Sequence, residues 1–419
     1  KRGRIVTDSP SLALRVSVRG VKQTTMFNPS LQYQLTFEGL WPSAVSFLDS
    51  SRKLAAGNQK GEIYVWELPE TPPELSEEEK KNKERKAPNL NPVRRLEGHT
   101  NAISWLKYDA ARKQLISSSL DHTIRLWNIE AAPTGTAEAI LDGDTRKEQF
   151  RRTKKEEILK AAGVSVQTVG STKSLEAHQD WINALSLSAD GKRLISGDSA
   201  SQVVVWDLDK NEPLSKWKGY PWNWIVAADL TADGQTALVS EYRYKRDDFD
   251  IPSAALKLWH TVDGSEKLDL LKVQFPKLKP EGRTYGDGQL WRNFVGNGLI
   301  AAAFSPDGKQ LAVGQGGETD TGKVHLLDTE TGKLLKTVSG HQYGITALTY
   351  SKDGLHLFTA GRDTCVRIIQ VADGKEVAVL GSPRGGQFKD WGSAISLSEG
   401  ETHLAAADIS GQVAIWKLK

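Results

Sequence analysis

The chain has 419 residues, far more than one compact layer of core requires, so it holds either several domains or one large repetitive one. Hydrophobic residues make up 38% and charged residues 26%, and no apolar run approaches a membrane span, which argues against a membrane protein. The 55 basic and 52 acidic residues nearly cancel to +3, which disfavours a nucleic-acid partner, and the single cysteine, Cys365, excludes an internal disulfide framework while leaving the compartment open.

Residues 1–30 read as an N-terminal extension outside any repeat, a linker from a region removed by processing or trimming. The chain starts at Lys1 rather than Met, and residues 1–10 lack the charged-then-apolar shape of a secretion signal. From residue 31 to residue 419 one unit of alternating strands recurs. The segment QYQLTFEG at 32–39 aligns with VRRLEG ahead of the second unit and stands as a strand without its own sheet. The first unit ends at Trp66, and an insertion at 69–92, rich in Glu and Lys, is expected to be solvated and partly helical over 76–86.

Units two, three and six carry the clearest register: LEGHTNAISW at 96–105, LEAHQDWINA at 175–184 and VSGHQYGITA at 338–347. The same 28-residue interval separates His99 from Trp127, His178 from Trp206 and His341 from Ile369. Between units two and three lies a second insertion, 131–172. Its stretch 144–162 is expected to be a helix, because Thr145 and Glu148 have capping-box spacing and Gly163 can end it. Weaker copies end at Trp259, Leu327 and Trp416, making seven units. Asp190-Gly191, Asp233-Gly234, Asp307-Gly308 and Asp353-Gly354 mark hairpin turns between first and second strands, and Asp263-Gly264, Thr331-Gly332 and Asp373-Gly374 mark those between third and fourth.

This register resembles the WD-repeat family, and phrases such as FSPDGKQLAVG and DTETGKLLKT resemble its bacterial-style members. The resemblance implies an all-β fold, a seven-bladed β-propeller, whose last blade is completed by the segment at 32–39. It also implies a hydrogen-bonded chain of His, Ser or Thr, Asp and Trp within a blade. Unit two matches fully with His99, Ser117, Asp121 and Trp127. Unit three keeps His178, Ser196 and Trp206 but has Ala200 at the Asp position, and unit six keeps His341, Thr359 and Asp363 but has Ile369 at the Trp position, so both networks are expected to be incomplete. A His, Asp and Ser set resembles a hydrolase triad, yet recurrence at one register points to structure rather than catalysis. The absence of HExxH, Walker, CxxC and CxxCH motifs leaves no catalytic residue, cofactor or metal to expect.

Aligning the first strands brings Trp41, Trp181, Trp224 and Trp391 to one position, at the entrance of the innermost strand, with Trp222 and Tyr343 in the same loops. The longest loops on that top face, from Glu241, Gln274 and Gly381, add Trp291 and Arg292. An aromatic rim of this kind, among mixed charges, suits a protein or peptide partner better than a phosphate backbone. The expected function is a non-catalytic scaffold. The alternatives are a sensory or regulatory module of a longer polypeptide and a small-molecule or sugar site in the Trp-lined mouth.

Overall fold

The structure is a computed structural model that describes residues 27–36, 41–81, 85–140, 163–243, 253–276, 294–317, 322–382 and 392–419. It is almost entirely β: seven sheets, antiparallel but for one added parallel pair in blade one and each at least four strands deep, form a seven-bladed propeller. The innermost strands run Pro42–Leu48, Ile103–Asp109, Ile182–Leu187, Trp224–Leu230, Leu299–Phe304, Ile345–Tyr350 and Gly392–Leu397, and each touches the next in order until the seventh returns to the first. The ring is closed by Ser30–Thr36, which pairs antiparallel with Gln412–Lys417 as the outer strand of blade seven.

Seven apolar clusters form the core, one at each interface between neighbouring blades. Close approach there depends on small residues in the second strands. A Cβ on Gly57, Gly197 or Gly314 would lie within 2.6, 2.2 or 2.7 Å of Ile103, Ile225 or Ile345, near the start of the next blade's innermost strand. The hairpin glycines expected from the sequence adopt positive φ, from +66° at Gly234 to +77° at Gly374, a region closed to most side chains.

The first insertion is largely exposed over 69–81, as expected, but its return packs on the ring. Its helix is a short one, Glu77–Lys81. Ser76 Oγ accepts from the Glu79 amide at 3.2 Å, and Glu79 accepts from the Ser76 amide at 2.9 Å, a reciprocal cap. Beyond it the chain packs on the ring-closing strand. Gln34 N donates to Pro88 O at 3.1 Å, Thr36 N to Asn89 Oδ1 at 3.0 Å, Arg85 to Gln34 O at 2.6 Å and Ala87 N to Gln34 Oε1 at 2.9 Å. The Trp66 indole donates to Leu90 O at 3.0 Å. The edge of the closing strand thus gains donors and acceptors that a bare edge would lack.

The second insertion contains two strands that the reading of its sequence did not anticipate. Gly135–Ile140 and Gly163–Gly170 pair antiparallel, and the latter runs parallel to Arg94–Glu97, so blade one has six strands. Its turn-free sequence, GTAEAI and GVSVQTVG, alternates small and β-branched residues, a pattern fitted to a half-covered strand. The helix expected over 144–162 lies outside the described residues.

Candidate functional site

Two sets of side chains stand out by chemistry: the repeated histidines and the top-face aromatics. In blade two the Trp127 indole N–H donates to Ser117 Oγ at 2.7 Å, Ser117 lies 2.7 Å from His99 Nε2, and His99 Nδ1 lies 2.8 Å from Asp121. With the serine oxygen accepting from the indole, its O–H is left to donate to Nε2, so Nδ1 carries the proton given to Asp121. This arrangement suits a neutral imidazole, with Nε2 accepting and Nδ1 donating. Burial holds His99 below the ordinary histidine value, against the pull of Asp121. Asp121 is pushed upward by burial, but hydrogen bonds from His99, Thr123 and the Thr100 amide outweigh this and leave it well below the usual carboxylate range.

Blade three corrects the expectation of a missing acid. Asp198, at the end of the second strand, replaces the turn position held by Ala200. It lies 2.8 Å from His178 Nδ1 and accepts from the Ala200 and Gln202 amides at 2.9 and 2.8 Å. His178 Nε2 meets Ser196 at 2.7 Å, and the Trp206 indole donates to Ser196 at 2.8 Å. Blade six has His341 2.9 Å from Thr359 and 2.7 Å from Asp363, without an indole since Ile369 fills that position. Arg367 on the third strand instead donates to Asp363 at 3.1 Å and to Glu376 at 2.5 Å. Ser117, Ser196 and Thr359 are fully buried, so no substrate reaches a hydroxyl in these sets. Their arrangement locks strands.

The top rim is different. Trp41, Trp181 and Trp224 occupy equivalent positions on blades one, three and four and are 43%, 48% and 46% exposed. Trp222, in the turn before Trp224, is 69% exposed. Blades five and six hold no side chain at this position because neighbouring segments close in. A Cβ on Gly298 would sit 2.8 Å from the Tyr242 ring, and one on Gly344 2.4 Å from Gly317 N. Blade two has Ala102 there, and Tyr343 is half-buried. Trp291, Arg292 and Trp391 lie outside the described residues.

Trp222 has φ +68°, a left-handed conformation that costs a bulky residue about 1 kcal/mol or more. The turn that imposes it is built from below. Asn223 N donates to Tyr220 O at 3.2 Å, and Glu241, 2% exposed, accepts from the Tyr220 amide at 2.7 Å and from Asn223 Nδ2 at 3.4 Å. Gly219 permits this, since a Cβ there would fall 2.4 Å from the Glu241 carboxyl. Burial raises Glu241 above the usual carboxylate value, against those hydrogen bonds and the nearby Lys257. Lys257 sits 4.7 Å from the Tyr220 ring centroid and 2.8 Å from Glu266, which fixes the tyrosine side of the turn. Neither Glu241 nor Asn223 was marked by sequence. The cue available was the register that puts Glu241 where blade three has Asp198, each opposite the first core residue of its innermost strand.

Three segments, 90–128, 170–207 and 332–370, match the family model described as WD domain, G-beta repeat. They fall on blades two, three and six, the blades with a His network. Autophagy-related protein 16 of Arabidopsis thaliana is 23% identical over 263 residues, covering 60% of this chain and 50% of that protein. Transcription factor unc-37 of Caenorhabditis elegans is 26% identical over 220 residues, 50% of this chain and 30% of that protein. WD repeat-containing protein 1 of Rattus norvegicus is 24% identical over 306 residues, 65% of this chain and 46% of that protein. The chain thus spans half or less of the length of these relatives. The matched repeats and the relatives support a WD-repeat family, whose propellers generally act as non-enzymatic protein-interaction scaffolds. Among the described residues no helix is long and apolar enough to cross a membrane.

Proposed function

We propose that this propeller is a non-catalytic scaffold that binds a protein or peptide partner on its top rim, with Trp41, Trp181, Trp222 and Trp224 as anchors and Tyr343 beside them. The observation that carries the reading is Trp222: the most exposed indole of the rim is also held in a strained backbone conformation by a buried carboxylate clamp. Strain kept at an exposed aromatic residue fits display better than packing, because a packed indole would not need it. Tryptophan contributes heavily to interfaces, joining large apolar area to one hydrogen-bond donor. Trp291, Arg292 and Trp391, expected on the same face and outside the described residues, belong to the same proposal. The bacterial-style likeness rests on FSPDGKQLAVG and DTETGKLLKT alone, for the relatives above are eukaryotic.

The test is affinity capture with wild type beside a Trp181→Ala, Trp222→Ala, Trp224→Ala variant, with thermal unfolding measured on both. Partners lost at an unchanged melting temperature are the expected result. Equal capture by both proteins would overturn the rim assignment.

A further inference from the structure

The pairing registers place one residue of each innermost strand at a common level of the central channel, two residues beyond the first after the bulge: Ser46, Lys107, Ser186, Asp229, Ala303, Thr349 and Ser396. Five are small and uncharged, one is an anion and one a cation. Asp229 is already satisfied. Ser186 donates to one oxygen at 2.5 Å, and the Phe304 amide donates to the other at 2.7 Å, bridging to the next blade. Lys107 has no such bridge. Its ammonium meets the Trp105 ring at 5.6 Å and feels Asp229 through space, but among the described residues it donates to no oxygen. Burial lowers it from the ordinary lysine value and Asp229 opposes this, the mark of a cation short of negative charge.

Lys107 lines a cavity of about 380 Å³ in the half of the channel nearest the turns between first and second strands. That volume lies within the usual range for small-ligand pockets. Its lining is polar and apolar in about equal measure, with Ser46, Thr349 and Ser396 beside Trp105 and Leu348, and Lys107 is the cation deep within it. At the mouth stand Asp49, Glu399 and Glu401 against Lys352. We propose that this cavity is a binding site for a small monocarboxylate with an aromatic body, its carboxylate taken by the Lys107 ammonium and its body by the Trp105 side. Charge complementarity favours an anion at the deep end, since a channel-lining ammonium that donates to no oxygen among the described residues gains most from an ionised acceptor. The acidic mouth disfavours a second negative charge, so dicarboxylates and phosphates bind more weakly. This site is separate from the tryptophan rim and does not depend on it.

The probes are hydrocinnamate, its neutral amide hydrocinnamide, and the dianion phenylsuccinate, titrated calorimetrically into the whole chain. Hydrocinnamate is expected to bind one to one with a Kd of about a millimolar, and the amide and the dianion about tenfold or more weaker. Lys107→Met should cost hydrocinnamate about tenfold and leave the amide unchanged. Protection of Lys107 from reductive methylation by hydrocinnamate, read by mass spectrometry on wild type, gives the answer even if that variant misfolds. Absence of saturable hydrocinnamate binding, equal binding of acid and amide, or methylation of Lys107 unaffected by saturating hydrocinnamate would each overturn the proposal. The Trp181→Ala, Trp222→Ala, Trp224→Ala variant is expected to bind hydrocinnamate as wild type does.

Discussion

His178 Nδ1 lies 2.8 Å from Asp198, and both side chains are enclosed within blade three. Asp198→Ala removes the acceptor of a buried imidazole N–H and two amide caps at once. It is expected to destabilise the protein by about 2–3 kcal/mol in denaturant unfolding. Ala200→Asp, which restores the acid at the position the repeat register favours, is expected to recover little in the double variant, because the network is built around the strand end. Full recovery would show that the turn position is equivalent.

Acid lability should come partly from His325. Both ring nitrogens are engaged, with Thr337 and with Phe294 O at 2.9 Å each, and the ring stacks on Phe294 at 4.2 Å. Burial lowers its pKa to about 4. A lowered base binds protons in the unfolded chain first, so its contribution is intact above about pH 6.5 and is lost as pH falls towards 4, by at most about 3 kcal/mol. His325→Gln should flatten the stability profile over that window. Asp363, pushed up by burial but brought down to about 2 by His341 and Arg367, adds a second loss below about pH 4.

Trp222→Gly separates display from folding. Glycine adopts φ +68° freely, and the strain it relieves is offset by the extra freedom of the unfolded chain, so stability should change by about 1 kcal/mol or less. Partner capture should fall. Trp222→Pro, whose ring fixes φ near the opposite sign, should instead unfold the turn and lower the melting temperature.

Gln34 tests the strap over the closing strand. Its side-chain oxygen accepts from Ala87 N, and its own amide donates to Gln412 at 3.4 Å, so one residue ties the insertion to both strands of the ring closure. Gln34→Leu should cost about 1–2 kcal/mol, with hydrogen exchange accelerating first in Ser30–Thr36 and Gln412–Lys417. Uniform exchange across all blades would contradict a local strap.

The repeat was legible because it is dictated by local chemistry. The 28-residue interval fixes how far His99, His178 and His341 stand from the third strand and Asp-Gly pairs mark the hairpins, so the seven units followed from spacing, while the closed ring was what the family resemblance implied. What spacing does not contain is contact between segments distant in the chain. Asp198 was hidden because an acid two residues before a turn fulfils the same role as one within it, a fact of strand register rather than composition. The pairing of Gly163–Gly170 with Arg94–Glu97 joins residues some seventy apart in parallel, and no turn signal announces it. In the rim, Trp41, Trp181 and Trp224 were visible as an aligned column, whereas Glu241 and Asn223 act from beneath Trp222 and carry no motif of their own. Lys107 and Asp229 likewise come to one level of the channel only when seven first strands are set in a circle.

Ring closure also sets how the molecule would respond to load. Ser30 faces Lys417 and Thr36 faces Gln412, so the chain enters and leaves blade seven at the same corner. Tension applied through both ends would open these pairs one after another, like a zip, instead of stretching them together in shear. The propeller would yield at that seam while its other six interfaces stay shut, and the strap from residues 85–90 is what stands between a tug on the ends and an open ring.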